Sequence, residues 1–430
     1  MKIFGVFGQQ RGDEGKGRVV DMLAEECAMV ARFNGGSNAG HTVVLPDGRE
    51  LALHIVPSGI AHEGVVNIIG NGTIVDPIRF IGEVEAIEKE GILVTPNNLK
   101  VSSSAHLVLP HYKLLEEIRE LGRSAQGSTK AGIADTYAAK AARSGVRVER
   151  VLGNHDSLLT VVREGLELMQ MERKKHDLPP VEIENEVKSY AQAIEKLQPF
   201  ITDTSVYVNE RLAAGETLLA EGAQAFLLDI DHGMYPYVTS SSTTAGGVAA
   251  GLGIAPATLE RSIGIVKAVQ SHVGGGPFVT EIFDEKELSV LHGDMSTIDA
   301  EKGTTTGRVR RLGYLDITGI RRANMVNGTT ELAITKLDWV PRYGKKIKVC
   351  TSYMYRDEKL TMAPDSAWAL EKCNPLYEEL SAWDEDITEV RKFSDLPHAA
   401  QEYVQFIEGQ TGLPVKYIGV GPRRDQVIVR

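Results

Sequence analysis

An α/β fold is the class this sequence predicts, and three features predict it. A short apolar run, KIFGVF at 2–7, ends at Gly8 as a buried strand does. A glycine-rich loop follows, and then GRVVDMLAEE sets Val19, Val20 and Leu23 at helical spacing. Further strand-like runs recur at 218–221, 263–267, 332–335 and 347–351. Strand, glycine loop and helix, in that order, open a nucleotide-binding α/β unit.

The other elements follow along the chain. In TVVLPDGRELAL the turn residues Pro46, Asp47 and Gly48 separate two apolar runs, which predicts a hairpin. HYKLLEEIREL at 111–121 places Leu114, Leu115, Ile118 and Leu121 on one helical face. The charged stretch 171–190 contains Pro179 and Pro180 and reads as surface structure rather than a domain boundary. Residues 181–199 read as a strongly charged outer helix. There is no low-complexity linker and no internal repeat, so 1–430 is expected to form a single large domain with peripheral subdomains.

Composition narrows the function classes. The chain is 42% hydrophobic and 24% charged, ordinary globular usage, with a formal net charge of -11. That charge argues against coating a nucleic acid but leaves room for anionic small substrates held by local Arg and Lys. Cys27, Cys350 and Cys373 are odd in number and form no CxxC pair, which fits a reducing compartment. MKIFGVFGQQ is too short an apolar run for a signal peptide, and no stretch approaches the roughly 18 apolar residues of a membrane span. The expectation is a cytoplasmic protein with no nucleic-acid or membrane partner.

Two glycine clusters carry the chemistry. GQQRGDEGKGR, Gly8 to Arg18, offers backbone N–H groups, a helix N-terminus and the point charge of Lys16 to a phosphate. It is not a standard phosphate loop: Gln10 stands where the first glycine belongs, and Gly17 replaces the hydroxyl residue that holds Mg²⁺. Asp13, inside the loop, is then the candidate metal ligand or proton acceptor. RFNGGSNAGHT, Arg32 to Thr42, adds Asn38, whose amide suits a purine edge, and His41, which could donate to phosphate oxygens.

QxGDEGKG followed by GGxNAGHT resembles the signature pair of the adenylosuccinate synthetases. Four further segments are similar to that family in order: Glu221 to Gly247, VGGGPF at 273–278, GTTTGRVRR from Gly303 to Arg311, and GVGPRRDQ near the C-terminus. TKLD, Thr335 to Asp338, resembles a guanine-recognition motif, because a carboxylate accepts from N1–H and the 2-amino group that adenine lacks. The resemblance spans nearly the whole chain. It implies a P-loop-like fold around a mostly parallel central sheet. The activity it implies is GTP-dependent ligation of L-aspartate to IMP through a 6-phosphoryl-IMP intermediate.

The resemblance also implies site residues. Asp13 and His41 would be catalytic. GTP would meet Gly12, Gly15, Lys16, Gly17, Gly40, His41, Thr42, Arg310, Lys336, Asp338, Gly419 and Gly421. IMP would meet Asp13, Lys16, Asn38, Thr129, Gln224, Thr239 and Arg308, with Arg143 reaching across a homodimer interface. Aspartate would meet Thr304, Thr305, Thr306, Arg308 and Arg310; glycines and threonines make a mobile loop there, and the two arginines can clamp carboxylates. One Mg²⁺ per subunit would sit on Asp13 and the Gly40 carbonyl.

The chain departs from the family at two places. Arg11 stands where members usually carry Trp. The IMP loop, usually similar to GTTxRGIGPAYxDK, reads GSTKAGIADTYAAK over Gly127 to Lys140. Its arginine has become Ala131, so substrate binding should weaken, Lys130 could partly substitute, and an arginine restored at 131 should recover a substrate contact if the loop keeps the family geometry; the alternative is that Asp135 and Thr136 reshape the loop and leave such an arginine without a partner. The altered loop leaves two alternatives: a different 6-oxopurine nucleotide or amine donor, or a non-catalytic GTP-binding paralogue. A relative type that aminates guanine nucleotides carries Ser at position 13, and the Asp here speaks against it.

Overall fold

The computed structural model describes the whole chain apart from residues 1, 123–126, 257, 296, 298–299 and 304–306. Its centre is a ten-stranded sheet. From edge to edge the strands are Val427–Val429, Val415–Gly419, Glu331–Thr335, Arg261–Lys267, Lys2–Gly8, Thr217–Glu221, Met29–Arg32, Val66–Ile69, Leu99–Ser102 and Ile201–Thr202. Every neighbouring pair runs parallel except the first, where Val427–Val429 is antiparallel.

The Lys2–Gly8 strand explains why its sequence reads as an unbroken apolar run. Ile3 and Phe7 pack on one face with Phe33, Ile68 and Leu218. Phe4 and Val6 pack on the other with Val19, Val20 and Leu23 of the Lys16–Ala24 helix. A parallel strand covered on both faces has no polar side to show.

The expected hairpin is present, with His41–Val44 antiparallel to Glu50–Leu53. It begins one residue earlier than the sequence suggested, so His41 lies in a strand. The helix Pro110–Arg119 stops short of Leu121, which is 57% exposed; the expected four-residue face therefore loses its last member. The charged helix Ile183–Leu197 is outer on one side only, because Val187, Tyr190, Ile194 and Leu197 are buried against the Pro77–Lys89 and His155–Lys175 helices. The 347–351 run belongs to a separate small sheet, built on the long strand Lys346–Tyr355 paired with Leu315–Asp316, Glu358–Leu360 and Asn374–Ser381. Among the described residues, no helix is long and apolar enough to cross a membrane, and the three cysteines are free and buried.

The parallel strands share one direction, so their C-terminal ends open on one edge. The segments after Gly8, Arg32, Glu221, Lys267, Thr335 and Gly419 all emerge there. Ligands of open parallel sheets bind at that edge. The motifs singled out between Gly8 and Gly421, apart from the 127–140, 273–278 and 303–311 segments, leave the sheet at such an end.

Candidate active site

The phosphate loop is held from within by one buried carboxylate. Glu14 Oε1 accepts from the backbone N–H groups of Gln10 (3.2 Å) and Gly12 (2.8 Å). Its other oxygen takes Lys16 Nζ at 2.7 Å. The Gln10 side chain bridges to the neighbouring strand, donating to the Lys267 carbonyl (3.1 Å) and accepting from its N–H (2.9 Å). Asp13 adopts φ 60°, a left-handed conformation uncommon for a non-glycine residue and concentrated at functional sites. Gly17 has no room for a side chain: a Cβ there would stand 2.7 Å from the His41 Cβ. The helix start and the second glycine cluster are therefore in direct contact.

In that cluster His41 Nδ1 lies 2.5 Å from Glu221 Oε1. Ser58 fixes the same carboxylate through its N–H (2.8 Å) and hydroxyl (2.6 Å). Burial pushes His41 below the ordinary histidine range, against the pull of Glu221. Glu221, although burial alone would raise it, is held below the usual carboxylate range by the His41 hydrogen bond and charge. His41 thus rests as a neutral ring oriented by a carboxylate. Asn34 anchors the next segment, donating to the Ala223 carbonyl (3.3 Å) and Ser241 Oγ (3.1 Å) and accepting from the Ala223 N–H (2.9 Å). Gln224 follows at φ 55°. Gly35 leaves space for it, since a Cβ there would come within 3.0 Å of Gln224 Oε1.

The Ser/Thr run after it is not a solvated loop. Buried Asp229 accepts from Asp231 N and His232 N on one oxygen, and from Thr243 N at 2.6 Å on the other.

Two cavities open above these elements. One is lined by Asp13, Lys16, Asn38, Thr129, Gln224 and Thr239, with Arg308, Arg11 and the 272–275 segment. Both polar side-chain atoms of Gln224 and the Oδ1 of Asn38 are buried there without a protein partner. Buried polar groups are rarely left so, and a ligand edge would complete them. The second cavity is lined by Gly15, Thr42, Lys336, Asp338, Trp339 and Gly421. Asp13 and Gly40 line both cavities and stand at their junction.

A buried acid, Glu301, gathers the charges of the second cavity. It takes Lys267 Nζ (2.6 Å) and Arg310 Nη1 (3.1 Å) on one oxygen and Lys336 Nζ (2.7 Å) on the other. Against burial, these three cations hold Glu301 well below the usual carboxylate range. Burial pulls Lys267 down to about 8 even so. Lys336, itself at φ 55°, also lies 3.7 Å from the centre of the Trp339 ring. Arg310 joins the two cavities, because its Nε donates to Asp13 Oδ2 at 2.8 Å. Arg308 Nη2 donates to the carbonyl of Gly127 (2.8 Å), tying the arginine arm to the 127–140 segment.

Some sequence expectations land elsewhere. Gly17 supports the loop from the helix and lines neither cavity, and Gly419 ends its strand behind the second cavity beside Arg18. Arg143 is exposed at the end of the Ile133–Ala142 helix, in a separate basic cavity with Lys140, Arg147 and Arg150. Thr304, Thr305 and Thr306 lie outside the described residues. The expectation that an arginine restored at 131 would recover a substrate contact is corrected. Ala131 is fully buried among Ile74, Val108 and Ile133, facing an apolar cluster rather than the cavity.

Glu221, Ser58, Lys267 and Glu301 were missed as site residues. Glu221 heads a motif and ends a strand, which could have drawn notice. Nothing local marks Glu301.

Fold and site together define a phosphate-binding α/β enzyme whose two ligand cavities meet at one carboxylate. The family model for adenylosuccinate synthetase matches residues 5–428. An adenylosuccinate synthetase of Halothermothrix orenii is 42% identical over 99% of this chain and 98% of its own length. The solved structure of the fully ligated adenylosuccinate synthetase of Plasmodium falciparum matches with a TM-score of 0.91 and 33% identity, covering 100% of both chains. The succinoaminodeoxyadenylate synthetase of cyanophage S-2L, solved with dGMP and dATP, shares the fold at a TM-score of 0.63 and 19% identity, over 100% of this chain and 95% of its own. The chain belongs to the adenylosuccinate synthetase family.

Proposed function

We infer that this chain joins L-aspartate to IMP at the expense of GTP, giving adenylosuccinate, GDP and phosphate. The observation that supports this most directly is the pair of cavities meeting at Asp13 and Gly40. Family membership favours this reading over the two alternatives raised by the altered loop.

IMP occupies the first cavity, with its base edge on Gln224, its phosphate near Thr129 and Thr239, and the Asn38 amide also against it. GTP lies across the phosphate loop, with guanine between Lys336, Asp338 and Gly421. The donor set at the junction suits Mg²⁺, an Asp carboxylate and a backbone carbonyl, both hard oxygens. Among the described residues no group of three acidic, His or Cys side chains could hold a metal alone, so ligand oxygens would complete the shell. Bound there, Mg²⁺ would neutralise charge on the transferring phosphoryl group.

Asp13 takes the N1 proton of IMP as the 6-oxygen attacks the γ-phosphorus, and the bond from that phosphorus to GDP breaks. An isolated Asp, with a pKa of about 3.9, is a weak base, so proton removal is coupled to phosphoryl transfer. Lys16 meets the developing negative charge, and His41, its Nδ1 held by Glu221, joins it once its Nε2 carries a proton. The aspartate amine then adds at C6, the C–O bond breaks, and phosphate departs. Aspartate carboxylates bind Arg308, Arg310 and Thr304 to Thr306; in drawing Arg310 away they release Asp13 from its ion pair.

Arg143 works across a homodimer. It is exposed and stands in a cavity apart from Gln224, so a second copy is the natural route to the IMP phosphate. The chain acts as one unit, because strands from Lys2 to Val429 share one sheet.

The test is phosphate release by purified protein with Mg²⁺. Release should require IMP, aspartate and GTP together, with GTP preferred over ATP. Release independent of IMP or aspartate would refute the assignment.

A further inference from the structure

Arg11 is a buried cation on the wall of the IMP cavity, 3% exposed. Its Nη1 donates to Met234 Sδ at 2.9 Å, a weak acceptor. Its guanidinium carbon lies 4.6 Å from the centre of the Phe278 ring. The Gln270 amide, oriented with its oxygen toward Arg11, accepts from Nε at 3.2 Å. Among the described residues no carboxylate forms an ion pair with it. The carboxylates whose charge reaches it are Asp316 and Glu281. Each is already bonded, Asp316 to Thr318 at 2.6 Å and to Tyr353, and Glu281 to Arg311 at 2.5 Å.

A buried guanidinium without a carboxylate is strongly disfavoured unless something else completes it. Arg11 itself lines the first cavity, although Met234, Phe278 and Gln270, which it touches, do not. The nearby loop offers no cation from position 131, where Ala131 faces apolar side chains. On the other wall, Arg308 bonds the Gly127 carbonyl.

We propose that Arg11 is a specificity-determining residue that binds a substrate oxyanion in the first cavity, either a carboxylate of the amino-acid donor or the phosphate of the nucleotide. This rests on the functional reading above. It makes Arg11, where the family usually carries Trp, a source of the cationic contact that the altered loop lacks. It also predicts an inverse relation between stability and binding, because the charge is completed only by ligand.

The experiment compares wild type with Arg11→Met, a neutral side chain of similar reach. Thermal unfolding is measured without ligand, with succinate as a dicarboxylate probe, and with inorganic phosphate. Michaelis constants for aspartate, IMP and GTP follow. The unliganded variant should melt at or above the wild-type temperature and lose the stabilisation given by one probe. Its KM for the matching substrate should rise roughly 10- to 150-fold, the range for a charge-assisted hydrogen bond, with KM for GTP unchanged. Loss of the succinate response assigns the carboxylate; loss of the phosphate response assigns the nucleotide. A variant that melts lower, fails to fold, or keeps the wild-type responses and KM values would overturn the proposal, as would a wild type that responds to neither probe. The probe shifts need no turnover. Failure of wild type to release phosphate from GTP with IMP and aspartate would therefore indict the ligase reading instead.

Discussion

Asp13, Gln224 and Lys336 share a left-handed backbone and line the cavities. Strain of this kind persists only where the surroundings over-determine it. For Asp13 they include the Glu14 carboxylate beneath the loop and Arg310 above it. Asp13 was legible in the sequence because an acid inside a phosphate loop asks for a reason. Ala131 was misread, since a loss judged by alignment with a motif says nothing about which way the backbone now points. Asp135, buried and paired with Arg119 at 2.5 Å, and Thr136, whose hydroxyl donates to the Gly132 carbonyl, lie in the Ile133–Ala142 helix that follows Ala131. Ala131→Arg should therefore destabilise the protein, by several kcal/mol for an uncompensated buried charge, and leave the KM values for IMP and aspartate no lower. Urea unfolding and steady-state kinetics check both parts; a lowered KM in a stable variant would restore the missing-contact account.

At the scale of elements, the phosphate loop could be read because its partners are close in sequence: strand, loop and helix are contiguous. Glu301 could not. Its three cations come from a central strand, the arginine arm and the residue after the Glu331–Thr335 strand, separated from it by 34, 9 and 35 positions. Such a hub exists only once the sheet has aligned its strand ends. Glu301→Gln should leave Lys267 buried and poorly paired. Breaking a buried pair from one side costs roughly 3–5 kcal/mol. The same variant should raise KM for GTP more than KM for IMP, since Lys336 and Arg310 lose their shared anchor on the side of the second cavity. Denaturant unfolding and the two KM values measure it; equal changes in both constants would mean that Glu301 serves the fold alone.

The whole molecule was partly legible. The α/β class followed from apolar runs that fit strands buried on both faces, and the ten-stranded sheet bears it out. The strand order, the second small sheet and the docking of the C-terminal segment on the first helix were not. They depend on long-range pairs such as Arg424 with Asp21 and Arg18 with the Gly421 carbonyl. The assembly is a further step. If Arg143 completes its partner's site, Arg143→Leu and Asp13→Ala should each be nearly inactive. For Asp13→Ala, loss of the general base costs roughly 10²–10⁴-fold in rate. Mixed after subunit exchange, the two variants should regain activity, because one site per heterodimer has both residues intact. No recovery despite verified exchange would place Arg143 in its own chain's chemistry or outside it.

The central claim is that the 6-oxygen of IMP leaves as part of the released phosphate, because it attacks the γ-phosphorus at the junction held by Asp13. IMP labelled with ¹⁸O at position 6 tests it without recourse to mutants. Incubated with GTP, aspartate and Mg²⁺, the enzyme should release phosphate carrying one ¹⁸O for each adenylosuccinate formed. Unlabelled phosphate would mean that GTP is hydrolysed by water, and the arrangement proposed around Asp13 would be wrong.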